Sequence, residues 1–106
     1  MLLAIIGVLG AALLTGAVVY LAIKLTVSVL KSYRKKKTSK IMAAQVKDLI
    51  KQAPTMSLDD LEDDDIVLAE YDPEEDDLVQ DITIAQDIDS KVANIVDGNG
   101  GIVVFD

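Results

Sequence analysis

The sequence predicts a membrane protein whose N-terminal half is all α: a single transmembrane helix continuing into a basic amphipathic helix. A small α+β or partly disordered acidic tail follows. Three observations lead there. Residues 2–23 carry no charged side chain, the charges beyond them are segregated by sign, and apolar residues return in compact groups after the acidic run that ends at residue 65. Residues 1–30 are then the transmembrane helix, 31–53 a basic juxtamembrane helix, 54–65 an acidic linker and 66–106 a β-β-α-β-like tail.

A helix of 22 residues is about 33 Å long at about 1.5 Å per residue, enough to cross the hydrocarbon of a bilayer. A secretory signal would need basic residues before the apolar run, and here they follow it as Lys31, Arg34, Lys35, Lys36, Lys37 and Lys40. Because Lys and Arg are retained inside, that asymmetry predicts an N-terminus outside and a C-terminus inside, in a cell membrane or the internal membrane of a virion. Lys24, Ser28, Lys31 and Lys35 form one polar stripe along the helix. Lys24, Lys31, Tyr33, Arg34, Lys35, Lys36 and Lys37 are the residues expected at the membrane interface, with the Lys24 stem lying along the apolar face. Within the span, Gly7 with Ala11 and Ala12 with Gly16 have the small-x-x-x-small spacing that lets helix backbones approach closely.

Residues 1–52 hold nine Lys or Arg and one acid, Asp48, whereas residues 53–106 hold seventeen acids and one Lys, Lys91. The basic part suits an anionic leaflet and the acidic part is repelled by it, which directs the tail toward another protein. The same acidic tail argues against nucleic acid as a partner, despite the Lys35-Lys36-Lys37 run. Between them, Ser39 to Ala53 places Ile41, Met42, Val46, Leu49 and Ile50 on one helical face, and Pro54 ends that helix.

In the tail, Ser57 and Asp60 have capping-box spacing, and the acids around Leu58 and Leu61 read as a solvated linker or a docking strip. Ile66–Tyr71 and the weaker Leu78–Ile84 are strand candidates, Asp87–Val96 is a helix ended by Gly98, and Ile102–Phe105 is a last strand. Leu58, Leu61, Ile66, Tyr71 and Phe105 are the apolar residues expected to contact a partner.

Asp97-Gly98-Asn99-Gly100-Gly101-Ile102 resembles positions 3 to 8 of an EF-hand calcium loop, with Asp106 at position 12. Ile95 stands where the first aspartate belongs, so Asp97, Asn99 and Asp106 form only a degenerate calcium set and a Gly-rich turn explains the segment. The chain has no His, Cys or Trp, and no nucleophile elbow or phosphate loop. Neither an enzyme nor a cofactor is expected. The function predicted is a single-pass structural or adaptor protein that tethers a protein partner at the membrane through its acidic tail. A viral or phage protein joining bilayer to capsid, or a minor subunit of a membrane complex, would have this layout, within a homo- or hetero-oligomer. The alternative is a holin-like oligomer that perturbs the bilayer.

Overall fold

Alternation along the strands divides the apolar residues into two sets, and a computed structural model, which describes residues 1–54, 56, 58 and 60–106, shows each set on its own side of one sheet. In chain order the elements are α1 (Leu2–Thr15), β1 (Val18–Tyr20), α2 (Val27–Ser32), β2 (Lys40–Gln45), α3 (Val46–Gln52), β3 (Ile66–Asp72), β4 (Asp77–Leu78), β5 (Ile82–Ala85), α4 (Ser90–Gly98) and β6 (Ile102–Phe105). The sheet runs β1-β5-β3-β2-β6, with β4 paired to the end of β3. Only β1 lies parallel to its neighbour among the paired strands; the other pairings are antiparallel.

Met42 and Ala44 on β2, Val67, Ala69 and Tyr71 on β3, and Ile82 and Ile84 on β5 pack with Ile5 and Leu9 of α1 and Leu49 of α3. Their sequence neighbours Ile41, Ala43, Ile66, Leu68 and Ala85 face the other way, against Leu30 of α2 and Val92 and Val96 of α4. The result is a three-layer α/β/α arrangement, each strand's period of two feeding both cores.

The transmembrane reading of residues 1–30 is overturned. No helix among the described residues is long and apolar enough to cross a membrane. Helix α1 stops after Thr15 because Gly16 adopts φ 74°, and its N–H closes onto the carbonyls of Ala12 and Leu13. A residue without Cβ takes that left-handed turn at no steric cost. The chain then continues through Val18, Val19 and Tyr20, β-branched and aromatic residues that suit a pleated edge. They pair with Ile82, Thr83 and Ile84, flanked by bonds from the Ile82 N–H to the Ala17 carbonyl (3.1 Å) and from the Leu21 N–H to the Ile84 carbonyl (2.9 Å). Helix α1 is apolar on every face. The C-terminal strands supply a sheet that buries one of its faces, so no bilayer is needed for Ile5 and Leu9.

The single-pass localisation with N-terminus outside and C-terminus inside falls with the span. The basic amphipathic helix over residues 31–53 is also corrected. Lys31 and Ser32 end α2, residues 40–45 are central strand β2, bonded to β3 on one edge and β6 on the other, and the helix that follows is only Val46–Gln52. A strand buried on both faces reads as a continuous apolar run, and over six residues that run mimics one face of a helix.

Two of the strand candidates keep their place, Ile66–Tyr71 within β3 and Ile102–Phe105 as β6. Leu78–Ile84 is split into β4 and β5 by residues 79–81, which bend to aim Gln80 at the sheet's interior. The capping box involving Ser57 lies outside the described residues. Acids of the expected linker are tied back to α3. The Asp65 and Asp63 carbonyls accept from the Val46 and Lys47 N–H groups, and Lys47 Nζ reaches Asp64 at 3.2 Å. Gly101, at φ 90°, passes so close to Asp48 that an added Cβ would fall 1.9 Å from its Oδ2.

Candidate functional site

Three places carry chemistry or exposed surface that the fold does not consume: a buried polar cluster around Glu70, the outward face of α1, and a cleft on the opposite side of the sheet.

Glu70 lies inside β3 between Ala69 and Tyr71, and it is 0% exposed. A buried carboxylate survives only with donors around it. The turn after α2 supplies them: the Lys35 N–H donates to both carboxylate oxygens at 2.9 Å, the Lys36 N–H at 2.8 Å and the Ser39 hydroxyl at 2.6 Å. Gln80 adds its amide at 2.7 Å and donates to the Tyr33 carbonyl at the same distance. Burial pushes the Glu70 pKa up, but the bonds from Ser39, Lys36, Lys35 and Gln80 outweigh it and hold the carboxyl below its usual range. The Tyr33 hydroxyl completes the cluster, 3.0 Å from Thr83 Oγ1 and 3.2 Å from the Asp81 carbonyl.

Burial raises the Tyr33 pKa to about 12, the Thr83 bond opposing it and the charges of Glu70 and Asp81 adding to it. Because the folded state holds the phenol protonated, Tyr33 costs nothing below pH 10. Above that the fold loses stability as pH climbs toward 12, by roughly 2 kcal/mol in all. Tyr33→Phe is expected to lose about 1 kcal/mol at neutral pH and to flatten this alkaline limb. Urea unfolding at pH 8 and pH 11 measures both, and a variant with the parent's alkaline loss would refute the assignment.

With the Lys35, Lys36, Ser39 and Gln80 donors turned onto the Glu70 carboxylate, this cluster clasps the basic turn to β3.

The outward face of α1 is different. Leu3, Gly7, Ala11 and Leu14 follow one another at helical spacing and all lie exposed, Leu3 at 80% and Leu14 at 85%. Met1, Val19, Tyr20 and Ile23 complete the exposed large apolar residues, so that among the described residues all of them fall in the first 23 positions. Grooves flank the helix. One of about 410 Å³ is lined by Ile6, Gly7, Gly10, Ala11, Leu14 and Met56. Another, about 400 Å³, is lined by Val8, Ala12 and Thr15 with Asp77 and Asp81 on its far wall. A third, beyond the helix end, includes Tyr20, Leu61 and Asp60. No Lys or Arg lines any of the three.

The residues expected to pack helices therefore separate: Gly7 and Ala11 face outward, Ala12 packs on the core and Gly16 is the helix cap. Of those expected to touch a partner, Leu58, Ile66 and Tyr71 are buried in this chain's own core and Leu61 packs against it, leaving Phe105 half-exposed. The interface cations also disperse. Lys24, Lys31, Lys35 and Lys37 are exposed, Lys36 pairs with Asp72, Arg34 donates to the Ser39 carbonyl, and Tyr33 belongs to the Glu70 cluster. The degenerate calcium set is not assembled. Asp97 accepts from Gln45 at one end of β2, Asp106 pairs with Lys40 at the other, and Asn99 donates to the Ile95 carbonyl. Among the described residues no group of three or more acids is placed to hold a metal ion.

Sequence reasoning missed Glu70, Ser39 and Gln80. The available signal was a charged residue inside an otherwise apolar strand, which demands partners elsewhere in the chain. No protein-family model, curated protein or solved structure matches this chain.

Proposed function

We propose that the protein is a non-catalytic binding module that holds a partner protein by docking an apolar helix, flanked by Lys or Arg, along the outward face of α1. The observation that carries this reading is the confinement of exposed large apolar side chains to residues 1–23. Contiguous exposed apolar surface on a small domain marks an interaction site. Charge selects the occupant: Asp77 and Asp81 line the groove on one flank of α1 and Asp60 the groove beyond its end, with no cation in either, so a basic-flanked helix is attracted and an acidic one repelled. Leu3 and Leu14 act as knobs at either end, and Gly7 and Ala11 leave room between them for a partner side chain. The expected adaptor role is thereby kept, but its contact surface moves from the acidic C-terminal half to the apolar N-terminal helix.

Titration with a synthetic amphipathic peptide of Leu and Lys, against its Leu and Glu counterpart, tests the reading. The Lys peptide is expected to bind saturably, weakening with added salt. Leu14→Asp should weaken it at least about tenfold, the loss typical of a central apolar anchor. Equal affinity for both peptides, no binding to either, or self-association of the chain in place of peptide binding would contradict it.

A further inference from the structure

On the opposite side of the sheet a second opening, about 300 Å³, lies between α2, α4 and the β6 edge. Its lining is apolar where it is deep: Leu30 and Ile41 are buried, and Val27, Ile95 and Phe105 are half-buried. Its mouth carries Lys31, Arg34 and Asp106. These three charges are not equivalent. Asp106 is already paired with Lys40, whereas neither Lys31 nor Arg34 makes an ion pair among the described residues. Arg34 gives one N–H to the Ser39 carbonyl, which fixes the guanidinium near the mouth and leaves its other donors uncommitted.

We infer that this cleft binds a small amphiphilic carboxylate, with its hydrocarbon against Leu30, Ile41, Ile95 and Phe105 and its carboxylate at Arg34 and Lys31. An apolar pocket with a few convergent polar groups is the usual form of a small-molecule site. A guanidinium is matched in shape to a carboxylate. Asp106 is the one group working against the ligand, because its carboxylate sits beside the same cations, and Lys40 neutralises it only in part. The site is separate from the α1 face, since the whole sheet lies between them.

The test is calorimetric and NMR titration of the full chain with octanoate, 1-octanol and octylammonium. Octanoate is expected to bind saturably, at least about tenfold tighter than the alcohol, as a charge-assisted bond to Arg34 requires. Octylammonium should bind more weakly still, with resonance shifts confined to Leu30, Ile41, Ile95 and Phe105. Arg34→Gln should remove the preference for octanoate over octanol. Lys31→Gln, a change at an exposed position that leaves the fold intact, should reduce it, and Asp106→Asn should tighten octanoate binding by about threefold. Octanoate binding no tighter than octanol, an unchanged preference in both Arg34→Gln and Lys31→Gln, or shifts centred on α1 would overturn the assignment. Failure here leaves the peptide site untouched, because the two ligands report on opposite sides of the sheet.

Discussion

Glu70→Ala is expected to destabilise the fold by about 3 kcal/mol or more in urea unfolding, because one truncation strands several buried donors at once. The Lys35 and Lys36 N–H groups, the Ser39 hydroxyl and the Gln80 amide would all lose their acceptor, Glu70 and Ser39 being fully buried and the other donors partly so. Glu70→Gln keeps the shape and one acceptor oxygen but sets an amide N–H against donors, so a smaller loss of about 1–2 kcal/mol is expected.

The pH dependence follows from the direction of the shift. Burial opposes ionisation of Glu70, the surrounding hydrogen bonds overcome it, and the folded pKa lies below that of the unfolded chain. The stabilisation is therefore complete above the ordinary glutamate value of about 4.3 and is lost as pH falls through the lower folded value. Asp72 and Asp106, whose pKa values are lowered first of all by their hydrogen bonds from Lys36 and Lys40, add acid sensitivity of the same sign. The difference between parent and Glu70→Gln isolates the Glu70 part. A Glu70→Gln variant with the parent's full acid limb would show that Glu70 is not the group responsible.

The second large effect is a contrast within one helix. Leu9→Ala is expected to cost about 2–4 kcal/mol, since Leu9 is fully buried against the sheet and its removal leaves a cavity. Leu3→Asp, only six positions away, should change stability by less than about 0.5 kcal/mol, because Leu3 is exposed and an acid in the first helical turn suits the helix dipole. Thermal or urea unfolding of the two variants measures both. Comparable losses at the two positions would mean that α1 is buried all round, and the docking surface proposed for it would not exist.

What could be read from the residues depended on the turn residues that bracket each segment. Strands β3 and β6 were legible because Asp64 and Asp65 precede the first, Asp72-Pro73 closes it, and Gly100-Gly101 opens the second. The helix over α4 showed through Val92 and Val96, with residues near Gly98 and Asn99 ending it. At β2, Ile41, Met42, Ala43 and Ala44 are buried on both faces as β3 is, but no acid, Gly or Pro brackets them, so nothing in the sequence parts the strand from the helix that follows. Helix α1 misled through composition. A charge-free stretch of this length is the strongest membrane signal available, and Gly16, the residue that cuts it, looks the same in sequence whether it caps a helix or lies within one. Of the candidate sites, the exposed notch at Gly7 and Ala11 was visible as spacing. The Glu70 clasp and the Arg34 cleft join residues more than 30 and 60 positions apart, and no local pattern announces such pairs.

The apolar N-terminal stretch breaks at Gly16 and returns as an edge strand of the chain's own sheet. Through-space NMR contacts between residues 18–21 and 82–84 test it most directly. Parallel-strand contacts of Val18 with Ile82 and Tyr20 with Ile84, together with slow exchange of the Leu21 and Ile82 amides, are the expected result. Unbroken helical amide-to-amide contacts from Leu2 through Ile23, with no contact to residues 82–84, would contradict it.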